Sequence, residues 1–187
     1  LKSYDGLGLE VRDILARSDL YEREGKDQHA FCTDIDREGD IRILCNLKPS
    51  LRWMDTLLHE LGHGVYDRYI PRELPWLLRT IPHVLSTEAM ALLMGNITLD
   101  AEWHTEVLGA TAAEAERAGQ AGYNRLRLEN LIFARWVMVV VNFERAMYED
   151  PSRDLNALWW ELVHRYQLLT VPEGRTAKPD WATKLHI

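Results

Sequence analysis

The chain has 187 residues, of which 47% are hydrophobic, and a formal net charge of -7 at pH 7. This length is ample for one buried core and short for two domains. The negative charge and the lack of any nucleic-acid motif argue against a nucleic-acid partner, which would need a basic surface. The most apolar run, residues 131–143, contains Arg135 and is too short to span a bilayer, so we interpret it as a buried helix.

The first quarter of the chain predicts one helix and one β-hairpin. Residues 7–24 carry apolar side chains at helical spacing, which indicates a short amphipathic helix. Residues 28–45 contain β-forming side chains on both sides of the turn sequence Arg37–Asp40, which predicts a hairpin. If the two central residues of this turn form the loop, Cys32 and Cys45 lie opposite each other and a disulfide is geometrically feasible. Two reduced, apolar thiols are an equally good interpretation.

Residues 53–69 contain the sequence His59-Glu60-Leu61-Gly62-His63. Apolar residues at three- and four-residue spacing predict a helix here, with Ser50 as its N-cap. Positions four apart share one face of a helix, so both imidazoles can bind the same ion. Two neutral imidazoles suit zinc, and Glu60 would stand beside the open coordination position as a general base.

The two glycines of this run, Gly62 and Gly64, are unexpected inside a helix, where each costs about 1 kcal/mol relative to alanine. This cost is explained if another group must approach the helix backbone closely at these positions. The alternative interpretation of the whole run is a plain helix with two surface histidines.

A catalytic zinc site needs a third protein ligand. A second helix is predicted for residues 83–94, and Glu88 in its first half offers a carboxylate. The rival donors are His83, Asp67 and Glu73. Asp67 lies one turn beyond the second histidine, and we expect it to orient an imidazole instead of binding the ion.

The remainder predicts three more helices, at residues 101–108, 112–148 and 154–168, the second of them broken near Gly119 or Gly122. No repeat or linker divides the chain, so we expect one catalytic (half-)domain over residues 1–187. The first residue is not Met and no signal peptide is visible. We therefore expect a fragment of a longer polypeptide, and the compartment is left open.

Beyond the zinc helix, the chain resembles the angiotensin-converting enzyme family of zinc peptidyl-dipeptidases. The matching motifs, in chain order, are His29-Ala30, Leu74-Pro75-Trp76-Leu77-Leu78-Arg79 leading to Glu88, Leu158-Trp159-Trp160, and Asp180-Trp181-Ala182-Thr183-Lys184-Leu185-His186-Ile187. The likeness runs along nearly the whole chain and in order.

This resemblance implies a mainly α fold, a zincin-like helical half-domain with a small β-hairpin lining the active-site cleft. It also implies a zinc peptidase that releases dipeptides from the C-terminus of peptides, in a family whose members are often secreted or periplasmic. The implied ligands of Zn2+ are His59, His63 and Glu88, and the implied general base is Glu60.

The resemblance also assigns residues to the substrate. His29 would contact a substrate carbonyl, and the backbone of Ala30 would pair with the extended peptide as an added strand. Lys184 would receive the terminal carboxylate of the substrate. His186 would stabilise charge near the scissile group.

Three features depart from that family. Leu92 stands where the family has an aspartate that supports a zinc histidine, Gln28 replaces a disulfide cysteine, and the family's transition-state tyrosines would lie beyond Ile187. We therefore expect this chain alone to bind zinc and to hydrolyse peptides poorly or not at all. The alternatives are a zinc oligopeptidase or carboxypeptidase of the thimet or Taq type, and a non-catalytic binding module that keeps the fold.

Overall fold

The structure is a computed structural model that describes residues 1–184, and it is mainly helical with one small antiparallel sheet. The predicted fold class is confirmed. The helices of this described part are α1 (Lys2–Asp5), α2 (Arg12–Arg17), α3 (Leu51–Arg68), α4 (Val84–Asn96), α5 (Ala101–Leu108), α6 (Ala112–Glu149) and α7 (Leu155–Gln167). The strands are β1 (Phe31–Asp34) and β2 (Ile41–Leu44).

The chain forms two compact units, Leu1–Ala121 and a second that begins at Gly122. The boundary lies inside α6, which runs without a break through Gly119 and Gly122, so the predicted interruption is wrong. Each unit has its own cluster of buried apolar side chains. Within residues 1–184, no helix has the length and hydrophobicity that a membrane crossing requires.

The first unit is built around α3, which packs against α4 and against both strands. Ser50 caps α3 as predicted, because its hydroxyl oxygen accepts a hydrogen bond from the backbone N–H of Trp53 at 3.3 Å. Leu58, Leu61 and Val65 of α3 are buried in the core of this unit. Since α3 is held on two sides, the direction of its ligand-bearing face is fixed by the fold.

The hairpin has a different register from the predicted one. Cys32 pairs with Ile43, and Asp34 pairs with Ile41, so the loop spans residues 35–40. The register is set by Asp34, whose carboxylate accepts the backbone N–H groups of Arg37 and Gly39. The pairing of Cys32 with Cys45 is therefore wrong, and both cysteines are free thiols.

The predicted helix at residues 7–24 is confirmed only at its centre, as α2. The Ser18 hydroxyl bonds the Ile14 carbonyl oxygen at 2.6 Å, and its oxygen then accepts the Ile43 N–H. The chain leaves the helix at this point because Asp19 adds to the outer edge of β2, bonding Ile43 and Cys45 through backbone groups.

A buried lysine holds the segment that follows. The side chain of Lys26 is only 1% exposed, and its ammonium donates to the carbonyl oxygens of Asp19, Tyr21 and Cys45 and to the Asp19 carboxylate. A buried charge needs such partners. Lys26 therefore ties the irregular chain before β1 to the end of β2.

The second unit pairs the later part of α6 with α7. Its core contains Val139 and Phe143 of α6 and Trp159 of α7, with the Phe143 and Trp159 rings edge to face at 5.2 Å. Trp159 is a core residue, as predicted, whereas Trp160 is half-buried and packs against the same core. The apolar run 131–143 is not fully buried, however, because side chains such as Phe133 are exposed.

Candidate metal centre

The predicted histidine pair lies on one face of α3. The rings of His59 and His63 are 4.9 Å apart between centroids and nearly perpendicular. Glu88, in the first half of α4, places its carboxylate oxygens 3.6 Å from His59 Nε2 and 3.5 Å from His63 Nε2. The two packed helices thus bring all three predicted ligands together.

The chemistry of this donor set fits a zinc ion. One ligand atom from each of His59, His63 and Glu88 lies within 4.8 Å of the other two. Two imidazoles and one carboxylate are the protein donors of a three-ligand catalytic zinc site, which keeps a fourth position open. Among the rivals, His83 caps α4 by accepting the Leu85 N–H through Nδ1, and Glu73 is exposed outside the cluster.

Glu60, the predicted general base, is 7% exposed beside this cluster. Burial raises the pKa of Glu60 to about 7, and the charge of Glu88 adds to the rise. Burial also lowers the pKa of His63, although the charge of Glu88 acts in the opposite direction. The lowered pKa favours the neutral ring, which is the form that binds a metal. A carboxyl with a pKa near neutrality is suited both to accept and to release a proton.

Sequence reasoning missed one partner of the histidine pair. Thr87 is 4% exposed on α4, and its Oγ1 lies 2.6 Å from His63 Nδ1. The sequence did contain a signal, because Thr87 shares a face of α4 with buried Ala91 and Met94. A hydroxyl on the buried face of a helix needs a hydrogen-bond partner.

Asp67 does not take the orienting position that we predicted for it, since the Nδ1 partner of His63 is Thr87. Burial raises the pKa of Asp67 to about 6, with a further rise from Asp34 and an opposing effect of Arg72. Arg72 pairs with the Asp34 carboxylate at 3.0 Å and donates to the Asp67 carbonyl oxygen at 3.1 Å. Asp67 therefore belongs to a charged group between α3 and the hairpin.

The connector between α3 and α4 is fastened to the tip of the hairpin, residues 35–40. The Arg37 guanidinium lies 4.4 Å from the centre of the Trp76 ring, and the Trp76 indole N–H donates to the Asp36 carbonyl oxygen at 3.2 Å. Arg79 forms an ion pair with Glu38. These contacts fix the chain shortly before α4 begins, and so help to set the position of Glu88.

The family model for Peptidase family M3 matches residues 15–185 of the sequence. The chain belongs to peptidase family M3. Members of this family are zinc-dependent metallopeptidases. The predicted zinc peptidase class is thus confirmed at the level of the family, whereas the comparisons do not support the angiotensin-converting enzyme family specifically, and the thimet-type alternative fits better.

The M3 chain is also similar to a crystal structure described as oligoendopeptidase F from Bacillus anthracis strain Ames. The TM-score is 0.61 at 19% sequence identity, which shows a shared fold. The match covers 89% of this chain and 30% of the other, so this chain spans less than a third of that protein. The comparison with curated proteins gives no match.

The predicted substrate residues of the M3 chain lie in different places. His29 is exposed and Ala30 is half-buried, and both lie immediately before β1. The backbone N–H of His29 donates a hydrogen bond to the Asp27 carboxylate. Lys184 belongs to the second unit, where its ammonium lies 5.9 Å from the centre of the Trp136 ring. His186 lies outside the described residues.

The first unit of the M3 chain offers an unpaired strand edge beside Ala30. β1 pairs with β2 on one side, and no strand of residues 1–184 pairs with its other side. Such an edge presents free backbone N–H and C=O groups. The segment immediately before Lys184 forms a 3-10 turn, Asp180–Thr183.

Proposed function

We propose that this chain carries the zinc site of a peptidase that cleaves internal bonds of oligopeptides. The observation that carries the proposal is the convergence of His59, His63 and Glu88, from two helices, within 4.8 Å. Membership of family M3 supports this function. A zinc ion held by these three residues would supply Lewis-acid activation of water and of the scissile carbonyl.

In this proposal Glu60 moves the proton. Its carboxylate accepts a proton from the attacking water and passes it to the leaving amine, as a general base and then a general acid. The pKa of about 7 that burial and Glu88 give Glu60 suits both transfers. Burial of Glu60 at 7% exposure also limits competition from bulk solvent for the same proton.

The hairpin binds the peptide backbone in this proposal. The free edge of β1 would accept an extended substrate as an additional antiparallel or parallel strand, with Ala30 at the start of the pairing. His29 would contact a substrate carbonyl, and His186 would stabilise charge near the scissile group, as the resemblance implies. Backbone pairing is compatible with many sequences, which is what an oligopeptidase requires.

The second candidate is release of C-terminal dipeptides, in which Lys184 would receive the terminal carboxylate. One observation favours it: no carboxylate within the described part of the chain lies within 4 Å of the Lys184 ammonium. In this candidate function, the ammonium would pair with the carboxylate of an external peptide.

One experiment tests the metal site and both candidates. The purified chain is assayed for bound zinc, and a blocked peptide with a free or an amidated C-terminus is digested and read by mass spectrometry. The proposal expects about one zinc per chain and slow, chelator-sensitive internal cleavage of both peptides. Glu88→Gln should lose the metal and Glu73→Gln, the matched exposed control, should keep it.

The outcomes separate the alternatives. Cleavage that needs the free carboxylate and is lost in Lys184→Met would favour the dipeptidase. Zinc binding without any cleavage would favour the non-catalytic binding module. A chain that binds no zinc would reject the proposal as a whole.

A further inference from the structure

The two ring nitrogens of His63 face different partners. Nε2 lies 3.5 Å from the Glu88 carboxylate, on the side where the three ligands converge, whereas Nδ1 lies 2.6 Å from the Thr87 hydroxyl oxygen. A neutral imidazole carries one N–H, so one nitrogen donates a hydrogen bond and the other keeps its lone pair. Only the nitrogen with the lone pair can bind a metal.

We infer that Thr87 is a positioning residue that holds His63 as the Nδ1–H tautomer, with its Nε2 lone pair aimed at the metal. The inference rests on the proposed function, because it gives a role to a neighbour of the same site. In this arrangement His63 Nδ1–H donates to Thr87 Oγ1. A hydrogen bond of this kind fixes both the tautomer and the orientation of a ligating ring.

The burial of Thr87 makes this contact hard to replace. Thr87 is 4% exposed, so water cannot readily reach Nδ1 in its place. Neutral histidine in water prefers the Nε2–H tautomer, and the opposite tautomer needs a partner on Nδ1. The 2.6 Å contact supplies that partner.

The position of Thr87 also couples the two helices. Thr87 and Glu88 are neighbours on α4. The Thr87 hydroxyl contacts the ring of His63, and the Glu88 carboxylate faces both histidines. Leu92, where the resembled family has an aspartate that supports a zinc histidine, is 53% exposed and has no polar group. Thr87 therefore provides a neutral hydrogen-bond partner for the Nδ1 atom of His63.

The test compares Thr87→Val, which keeps the shape and removes the acceptor, with Thr87→Ser, which keeps the hydroxyl. The first readout is the 15N NMR spectrum of the His63 ring in the metal-free protein above the pH at which the ring is neutral. We expect the Nδ1–H tautomer in the wild type and in Thr87→Ser, and a shift towards Nε2–H in Thr87→Val. This readout does not depend on metal binding or on activity.

The second readout is zinc affinity, measured by competition with a chromogenic chelator. Thr87→Val should weaken zinc binding by about 10- to 100-fold, and Thr87→Ser should stay close to the wild type. The matched control is Thr56→Val on α3, whose hydroxyl bonds only the Arg52 carbonyl oxygen among the described residues, and it should leave the affinity unchanged.

The outcomes distinguish this inference from the proposed function. An Nε2–H tautomer in the metal-free wild type, or wild-type zinc affinity in Thr87→Val, would overturn the role of Thr87 while leaving the metal site intact. A wild type that binds no zinc would reject the proposed function, and the tautomer measurement would still decide what Thr87 does to His63. If Thr87→Val does not fold, failure of Thr87→Ser to keep the Nδ1–H tautomer would refute the inference.

Discussion

Gly62 of α3 lies in direct backbone contact with Ala91 of α4. A methyl group at position 62 would stand 2.7 Å from the Ala91 Cα atom and 3.2 Å from the Met90 carbonyl oxygen. The glycine inside the histidine motif therefore lets the two ligand-bearing helices approach closely. At Gly62 this is the close approach that the sequence predicted, whereas at Gly64 the nearest neighbours are side-chain atoms.

Gly62→Ala should push α4 away from α3. The substitution gains about 1 kcal/mol of helix propensity, but the added methyl meets backbone atoms that cannot rotate aside, which typically costs about 1–3 kcal/mol. We expect a lower melting temperature and weaker zinc binding. Gly64→Ala is the matched control, because its methyl would meet only side-chain atoms, at 3.3–3.4 Å, and should have a smaller effect on zinc. Equal zinc affinity in both variants would contradict this account.

Glu60→Gln should separate metal binding from catalysis. The amide keeps the shape of the side chain but cannot accept the proton, so the rate of peptide cleavage should fall by about 10²- to 10⁴-fold. Zinc content, measured by atomic absorption, should remain near one per chain. Loss of zinc from this variant would mean that Glu60 is a ligand and that its role as a base is misassigned.

Asp67→Asn should change how stability depends on pH. Burial and Asp34 raise the folded-state pKa of Asp67 to about 6, above the value of about 3.9 in unfolded chains. Ionising Asp67 therefore opposes folding, and its contribution to the free energy of unfolding falls as pH rises from about 4 to about 6. Asparagine cannot ionise, so the variant should melt at a higher temperature than the wild type at pH 7 and show a flatter profile between pH 4 and 6.

A control of opposite sign is Asp13→Asn. Burial alone would raise the pKa of Asp13, but its hydrogen bond to Arg68 and the charge of that residue lower it. The charged form of Asp13 therefore supports folding, and its removal should lower the melting temperature at pH 7. Thermal unfolding of both variants from pH 4 to 8 checks the pair, and a shift of the same sign in both would be inconsistent with these pKa directions.

Lys26→Met should destabilise the first unit strongly. The variant leaves the carbonyl oxygens of Asp19, Tyr21 and Cys45 without the donor that they share, and a buried polar group left unsatisfied typically costs about 1–3 kcal/mol. Urea unfolding measures the loss. Arg23→Met removes an exposed partner of the same Asp19 carboxylate and should change stability much less, because solvent screens an exposed ion pair. Comparable losses in the two variants would show that burial is not the cause.

Helical periodicity predicted most of the fold. The helices from α3 onwards were found close to their predicted bounds, because apolar residues at helical spacing and end signals such as Ser50 mark them in the sequence. The first helix was overestimated because apolar spacing continues past Ser18, where a side-chain hydrogen bond and pairing with β2 end it. The hairpin register failed for a similar reason, since the Asp34 carboxylate fixes a longer loop than the turn residues suggest.

At the candidate site, the sequence was sufficient for groups that follow helical spacing. The positions of His59 and His63 follow from one helix, and Glu88 from the need for a third ligand on a neighbouring one. Thr87 and the Asp34–Arg72–Asp67 group depend on how separate elements pack, which no local pattern describes. The sequence predicted the class of zinc peptidases but not family M3 itself. The ligand pattern is shared by several families of zinc peptidases, and the details that separate these families are less local.

The fastening of the connector to the hairpin tip has a consequence for engineering. Because Arg72, Trp76 and Arg79 hold the chain before α4 to residues of the hairpin, the tip and the connector form one linked segment. The helices that carry the nitrogen and oxygen donors also pack directly on each other, at Gly62 and Ala91. A change in the length of that loop should therefore loosen the connector first, while the helix contact continues to hold the donors together.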